Sequence, residues 1–188
     1  MALKATIFKA ELQIADMDRN YYHDHVLTLA RHPSETDERM MMRLLAFALN
    51  AHAAGDGSLQ ALGFGRGLGD EDEPDLWQKD LTGAIRLWID VGLPDEKRIR
   101  RACGRAGAVR VYSYGGHAAG LWWKQVGGTL ERSSNLAVAG VPQAASRALA
   151  KLARRNMLLQ CSIQEGTVWF TDGKETAQVE LLLFKAAA

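Results

Sequence analysis

The chain has 188 residues, 47% hydrophobic and 24% charged, and its 23 basic and 22 acidic side chains leave a formal charge of +1. That length suits one core and a single domain over 1–188, and the near-neutral balance gives no global attraction for nucleic acid, so an anionic partner must meet a local patch. No apolar run of about 18 residues and no signal-like start is found, so the expectation is a cytoplasmic protein without a membrane partner.

Residues 6–14 alternate, with Phe8, Ala10, Leu12 and Ile14 on one side and Lys9, Glu11 and Gln13 on the other, the pattern of a half-buried strand. After the turn residues "DMDRN" the stretch "YYHDHVLTLA" resumes an extended pattern, which predicts an N-terminal β-hairpin packed outside the central core. His23 and His25 share one face of it, but no third metal ligand accompanies them, so packing or surface roles are expected.

A helix is predicted over 35–54, with Ser34 as N-cap, Gly55 as stop and an apolar stripe of Met41, Met42, Leu45, Ala48 and Leu49. Glu38 stands on it and is expected to need a partner if it faces inward. Glu35, nearer the cap, is expected to favour the helix dipole. "LQALGFG" is a short strand, and "GRGLGDEDEPD" is a loop whose glycines lack the strand, turn and helix of a phosphate-binding fingerprint.

Strands at 85–91, 109–114 and near 135–141 then alternate with helices near 95–106, 117–126 and over 143–155. The tail from 157 to 184 carries three β-rich runs separated by "EG" and "DGK". The whole reads as an α/β (α+β) fold: a mixed central sheet flanked by helices, with an N-terminal hairpin and a C-terminal meander. Cys103 and Cys161 make no disulfide framework and are expected to be free and buried. Of Trp122 and Trp123, one ring is expected in the core and one at an interface.

In "IRLWIDVG" the odd residues Ile85, Leu87, Ile89 and Val91 share one sheet face, and Arg86, Trp88 and Asp90 share the other. If Asp75 opens an adjoining strand, its carboxylate and that of Asp90 converge, and two hard oxygen donors suit Mg²⁺ or Mn²⁺. The bland readings are a loop acid for Asp75 and, for Asp90, a strand-end acid that caps the Gly92 turn or pairs with Arg86. Helix 95–106 buries Ile99, Ala102, Cys103 and Ala106 and exposes Lys97, Arg98, Arg100, Arg101 and Arg105, either a phosphate-binding face or a solvated one.

The blocks "MALKATI", "LTLARHPSETDERMMMRLLAF", "DEDEPD" and "LWIDVGLPDEKRIRRA" together resemble the YaeQ family along essentially the whole chain. The resemblance implies a restriction-endonuclease-like variant of the PD-(D/E)XK nuclease fold, whose core order of a helix, three strands, a helix and a strand falls on 35–114. It implies Asp75 and Asp90 as ligands of Mg²⁺ or Mn²⁺, Glu38 as the helix glutamate, and cleavage of DNA or RNA phosphodiesters. The sequence departs from the family pattern where a lysine is expected: Gly92 stands there, with Lys97, Arg98 or Lys79 as replacements. Arg98, Arg101 and Arg105 would contact nucleic acid. The competing expectation is a nuclease-fold protein without catalysis that binds nucleic acid or a transcription or repair partner. No serine-hydrolase elbow and no cysteine–histidine nucleophile motif is present.

Overall fold

A computed structural model of the chain describes residues 4–54, 57–66 and 72–188. Two mixed sheets and four α-helices make up a mixed α/β fold. Strands β1 (Thr6–Asp16) and β2 (Tyr21–Arg31) form the expected hairpin, in register from Thr6↔Arg31 to Asp16↔Tyr21. Strands β8 (Asn156–Gln164), β9 (Thr167–Thr171) and β10 (Thr176–Glu180) form the expected meander. The two units are one sheet, because β8 pairs in parallel with β1 and the order runs β10-β9-β8-β1-β2.

The hairpin therefore does not pack outside the core. Phe8, Ala10, Leu12 and Ile14 point into the larger of two apolar clusters, with Leu29 from β2 and Met157, Leu159 and Ile163 from β8. The outward residues are mainly polar, as suits a sheet with one wet face, with Ile7, Tyr22, Val26 and Leu158 as exposed exceptions.

The second sheet has the order β11-β7-β6-β5-β4-β3. Its members are β3 (Gly63–Phe64), β4 (Leu76–Lys79), β5 (Ile85–Val91), β6 (Ala108–Ser113), β7 (Leu136–Gly140) and β11 (Leu182–Lys185). Strands β5, β6 and β7 are mutually parallel, joined through α2 (Glu96–Arg105) and α3 (His117–Leu130), while β4 and β11 run antiparallel to their neighbours. The last β-rich run thus splits: β10 ends the meander, and β11 crosses to the other sheet.

Helices α1 (Asp37–Asn50) and α4 (Gln143–Ala150) lie between the sheets. Every residue of α1 from Met40 to Asn50 is buried, which a single apolar stripe does not predict. A helix covered on both sides needs apolar surface all round, and the run of three methionines supplies it. Its N-cap is Thr36, whose hydroxyl accepts the Arg39 N–H at 3.1 Å, not Ser34. The α-helix ends at Asn50 and a 3₁₀ turn carries on over Ala51–Ala54; the expected stop at Gly55 lies outside the described residues. Helix α3 runs four residues further than expected, and α4 stops at Ala150, short of the expected 155.

Leu87, Ile89 and Val91 face α1 as the alternation predicts, and Trp88 faces the second cluster with Ile99 and Ala102 of α2 and Trp122 of α3. Ile85 departs: it packs on the second cluster, next to the register shift between Gln78 and Lys79. Trp122 is buried and its indole N–H donates to the Pro94 carbonyl at 2.8 Å, while Trp123 stacks on Phe184. Cys161 is buried, with its thiol pushed up to about 12 by desolvation and Asp16; Cys103 is only half-buried.

The β4–β5 connection is set by Asp80. Its Oδ1 accepts from the Thr82 hydroxyl at 2.6 Å and from the Thr82 and Ala84 N–H groups, and its Oδ2 accepts from Arg86 at 2.8 Å. The Thr82 hydroxyl first, with the backbone donors, holds the carboxyl down at about 2 from its ordinary 3.8. A depressed acid stabilises the fold above its unfolded pKa and loses that contribution as pH falls through the folded one. Asp80→Ala is therefore expected to lower the thermal midpoint at pH 7, with the gap from wild type closing between about pH 4 and pH 2 in a pH series of melts.

Candidate functional site

The site lies where β4 begins and β5 ends. Leu76 pairs with Ile89 and Trp77 with Trp88, so one more step of that register sets Asp75 level with Asp90. A tight approach holds the start of β4: the Gly65 N–H donates to the Asp75 carbonyl at 2.9 Å, and a Cβ on Gly65 would come within 2.0 Å of the Pro74 carbonyl oxygen. Both carboxylates are buried, Asp75 at 4% and Asp90 at 2% exposure.

Buried carboxylates need cations or donors, and here arginines supply them. Arg98 grips Asp90 at two points, Nε to Oδ2 at 2.8 Å and Nη2 to Oδ1 at 2.9 Å, and donates also to the Glu73 carbonyl. Planar guanidinium on planar carboxylate is the stronger form of such a pair. Asp75 accepts from Arg39 Nη2 at 2.6 Å and from the Val91 N–H at 2.8 Å. Arg39 spans on to Glu35 at 3.0 Å, and Glu35 is gripped at two points by Arg43, Nε at 2.8 Å and Nη2 at 2.7 Å. Arg43, fully buried, also donates to the Ala30 carbonyl of β2.

Burial pushes the Asp75 carboxyl above its ordinary range; Arg39 opposes that rise and Asp90 adds to it. The hydrogen bonds that Arg98 donates to Asp90 hold its guanidinium all the more firmly charged. Tyr114, half-buried at the end of β6, is likewise raised by burial, with Arg39 acting against the rise and Glu38, Glu35 and Asp75 with it. These groups share one pocket of charge at the carboxyl ends of the parallel strands, where open α/β sheets commonly bind ligands.

Of the residues expected here, Asp75, Asp90 and Arg98 come together. Glu38 is turned to α4, where the Ser146 hydroxyl donates to its Oε1 at 2.6 Å. Lys79 lies over the Trp77 ring at 3.6 Å, away from the acids. Asp90 does not pair with Arg86, which bonds Asp80. Glu35 is not a solvent-side dipole partner but the centre of the buried ion pairs. Sequence reading passed over Arg39, Arg43, Tyr114 and Ser146. Glu35, Arg39 and Arg43 recur at intervals of four, the spacing that stacks side chains along one helix face, and that was the available signal.

Gly92 has φ +105°, a left-handed conformation that ends β5 and turns its N–H to the Tyr112 carbonyl. Nothing crowds a Cβ there, so the constraint is conformational: a lysine would be strained at that position. The chain then reaches Asp95, whose side chain caps α2 by accepting the Arg98 N–H at 2.7 Å, and the first turn of α2 carries Arg98 back over Asp90.

As arranged, the acids do not fit a divalent ion. Among the described residues no group of three His, Cys, Asp or Glu side chains could hold a metal, and the oxygens of Asp75 and Asp90 are committed to the protein's own donors. An Mg²⁺ or Mn²⁺ ion on Asp90 would meet the guanidinium charge of Arg98 beside it.

Beside the site, Leu93, Pro94, Asp95, Lys97, Arg98 and Arg101 line a groove of about 430 Å³. Arg101 and Arg105 both reach Asp72, at 3.5 and 3.3 Å, in exposed pairs of the kind that salt screens readily. Arg100 pairs with Glu96.

Breaking a buried pair by removing one member strands the other charge, at about 3–5 kcal/mol. Glu35→Ala strands Arg43 and half of Arg39, so urea unfolding is expected to show a loss of about 3 kcal/mol or more. Glu38→Ala, which removes one hydrogen bond, is expected to cost about 1 kcal/mol in the same measurement.

The family description "YaeQ protein" matches residues 1–181. Proteins called "Uncharacterized protein YaeQ" from Salmonella typhi and Escherichia coli (strain K12) are each 44% identical over 181 residues, which span 96% of this chain and 96% of theirs. The crystal structure of YaeQ protein from Xanthomonas axonopodis pv. citri superposes with a TM-score of 0.88 at 48% identity, covering 97% of this chain and 99% of that one. That of YaeQ protein from Pseudomonas syringae gives 0.86 at 37% identity, covering 97% of each. No described helix is long and apolar enough to cross a membrane. On sequence and structure alike, the chain belongs to the YaeQ family.

Proposed function

We propose that the protein is a restriction-endonuclease-like PD-(D/E)XK variant that binds nucleic acid through the groove at the start of α2, with its acid pair locked by arginine and not by metal. The order α1-β3-β4-β5-α2-β6 supports the fold assignment. The observation that carries the functional reading is the two-point bond of Arg98 to Asp90, which puts a guanidinium where a cation would otherwise sit.

Lys97 and Arg101 flank Arg98 in the groove, and the amino end of α2 adds its partial positive charge. A phosphate can displace the exposed Asp72 from Arg101 and Arg105 at small cost. Binding to a fluorescent oligonucleotide is expected to weaken steeply with salt. Lys97→Ala together with Arg101→Ala should flatten the slope of log affinity against log salt by about 1.5. No cleavage is expected in Mg²⁺ or Mn²⁺, and binding indifferent to both salt and the double substitution would sink the reading in favour of a transcription or repair protein as partner.

A second reading, metal-dependent phosphodiester cleavage with Asp75 and Asp90 as the metal ligands once Arg98 has moved aside, is favoured by the β4–β5 register that sets the two carboxylates level. It requires Mn²⁺-dependent turnover that Asp90→Asn abolishes without loss of fold; a gel assay with both proteins decides between the readings.

A further inference from the structure

Strand β2 is an edge strand, and it is unlike the other sheet edges. The ends of the two sheets at β10, β11 and β3 are five, four and two residues long, whereas β2 extends for eleven in unbroken register with β1. Proteins commonly guard long edges with proline, a bulge or charged side chains; β2 has no proline, lysine or bulge, and its one acid is Asp24.

The direction of its free backbone groups follows from two separate bonds. The Lys9 N–H donates towards β8, to the Arg155 carbonyl, so odd residues of β1 face β8 and even residues face β2. The partners of those even residues are Leu29, Leu27, His25 and His23, all odd. Even residues of β2 must therefore aim their N–H and C=O groups outward. Arg43 agrees, since it reaches the outward carbonyl of Ala30 from α1. From Tyr22 to Thr28 the outward groups have no strand beside them among the described residues.

The side chains of this edge are complementary to themselves. Val26 is 83% exposed, Tyr22 55% and Ile7 43%, all on the outer face of the sheet, and Ile7 lies opposite Ala30. An antiparallel copy related by a two-fold axis at Val26 sets Val26 against Val26. It sets Tyr22 of each copy beside Ala30 of the other, next to Ile7. Asp24 then meets Thr28 and not its own copy, which avoids a like-charge pair. The Ala30 carbonyl keeps a second lone pair for the new ladder beyond its bond to Arg43.

We infer that β2 is a homodimerisation edge, joining two five-stranded sheets into one continuous sheet across a two-fold axis at Val26. Such an interface is isologous, the commonest form among soluble oligomers. It lies on the hairpin, away from the groove at α2, so assembly and nucleic-acid binding fail independently.

Sedimentation equilibrium of the whole chain tests this. Wild type is expected to approach twice the 20.6 kDa chain mass as concentration rises. Val26→Pro removes only an outward N–H, which an edge strand tolerates, and Val26→Lys sets two ammonium groups at the axis. Each should raise the dimer dissociation constant about tenfold or more while leaving the far-ultraviolet circular dichroism spectrum unchanged. A wild-type chain that remains at 20.6 kDa throughout, or a dimer that Val26→Lys leaves intact, overturns the inference.

Discussion

The fold turns on a chain of alternating charge: Arg43, Glu35, Arg39 and Asp75, with Asp90 and Arg98 beside it. Three guanidiniums answer three carboxylates, so a strongly desolvated region carries no net charge. Through these contacts β2, α1, the approach to β4, the end of β5 and α2 are fixed to one another. Ion pairs of this kind add little net stability over an apolar core, but each member makes the others indispensable. That accounts for a site held in one arrangement by side chains from distant parts of the sequence.

The same interactions give the acid pair cations of the protein's own. Strand register brings Asp75 and Asp90 level, as metal chemistry would ask, yet the cation nearest Asp90 is one the protein itself provides. The strand-end turn at Gly92 has a backbone conformation unsuited to lysine, and Arg98 arrives from the next helix instead. Arginine is a different instrument from lysine: its planar fork engages both carboxylate oxygens at once, and it does not give up its proton.

How much of this was legible depends on distance along the chain. The faces of β5, the hairpin and the meander follow from alternation, because each side chain's direction is set by its own strand. The burial of α1 on all sides does not, since it comes from two sheets whose strands lie at both ends of the sequence. Glu35 reads as a cap acid because it precedes the helix, and only Arg39 and Arg43, one and two turns later, give it another use. The pairing of β1 with β8 has no local signature, for alternation tells which face of a strand is wet and nothing of which strand lies beside it. The convergence of Asp75 with Asp90 follows only if Asp75 opens a strand beside β5, a condition that local pattern leaves open, that the family resemblance favours and that the β4–β5 register meets.

That β1–β8 pairing has a consequence for how the chain reaches its native state. β1 is made well before β8, and its second edge is closed only by residues 156 and beyond. During synthesis the hairpin must wait with that edge open, while β5, α2, β6, α3 and β7 can close through short parallel crossovers. Contacts between the two ends of a chain carry the largest loop-closure entropy and come slowest. The half of the molecule that holds the acid pair can therefore assemble ahead of the sheet that covers it, and the growing chain exposes Ala10, Leu12 and Ile14 longest.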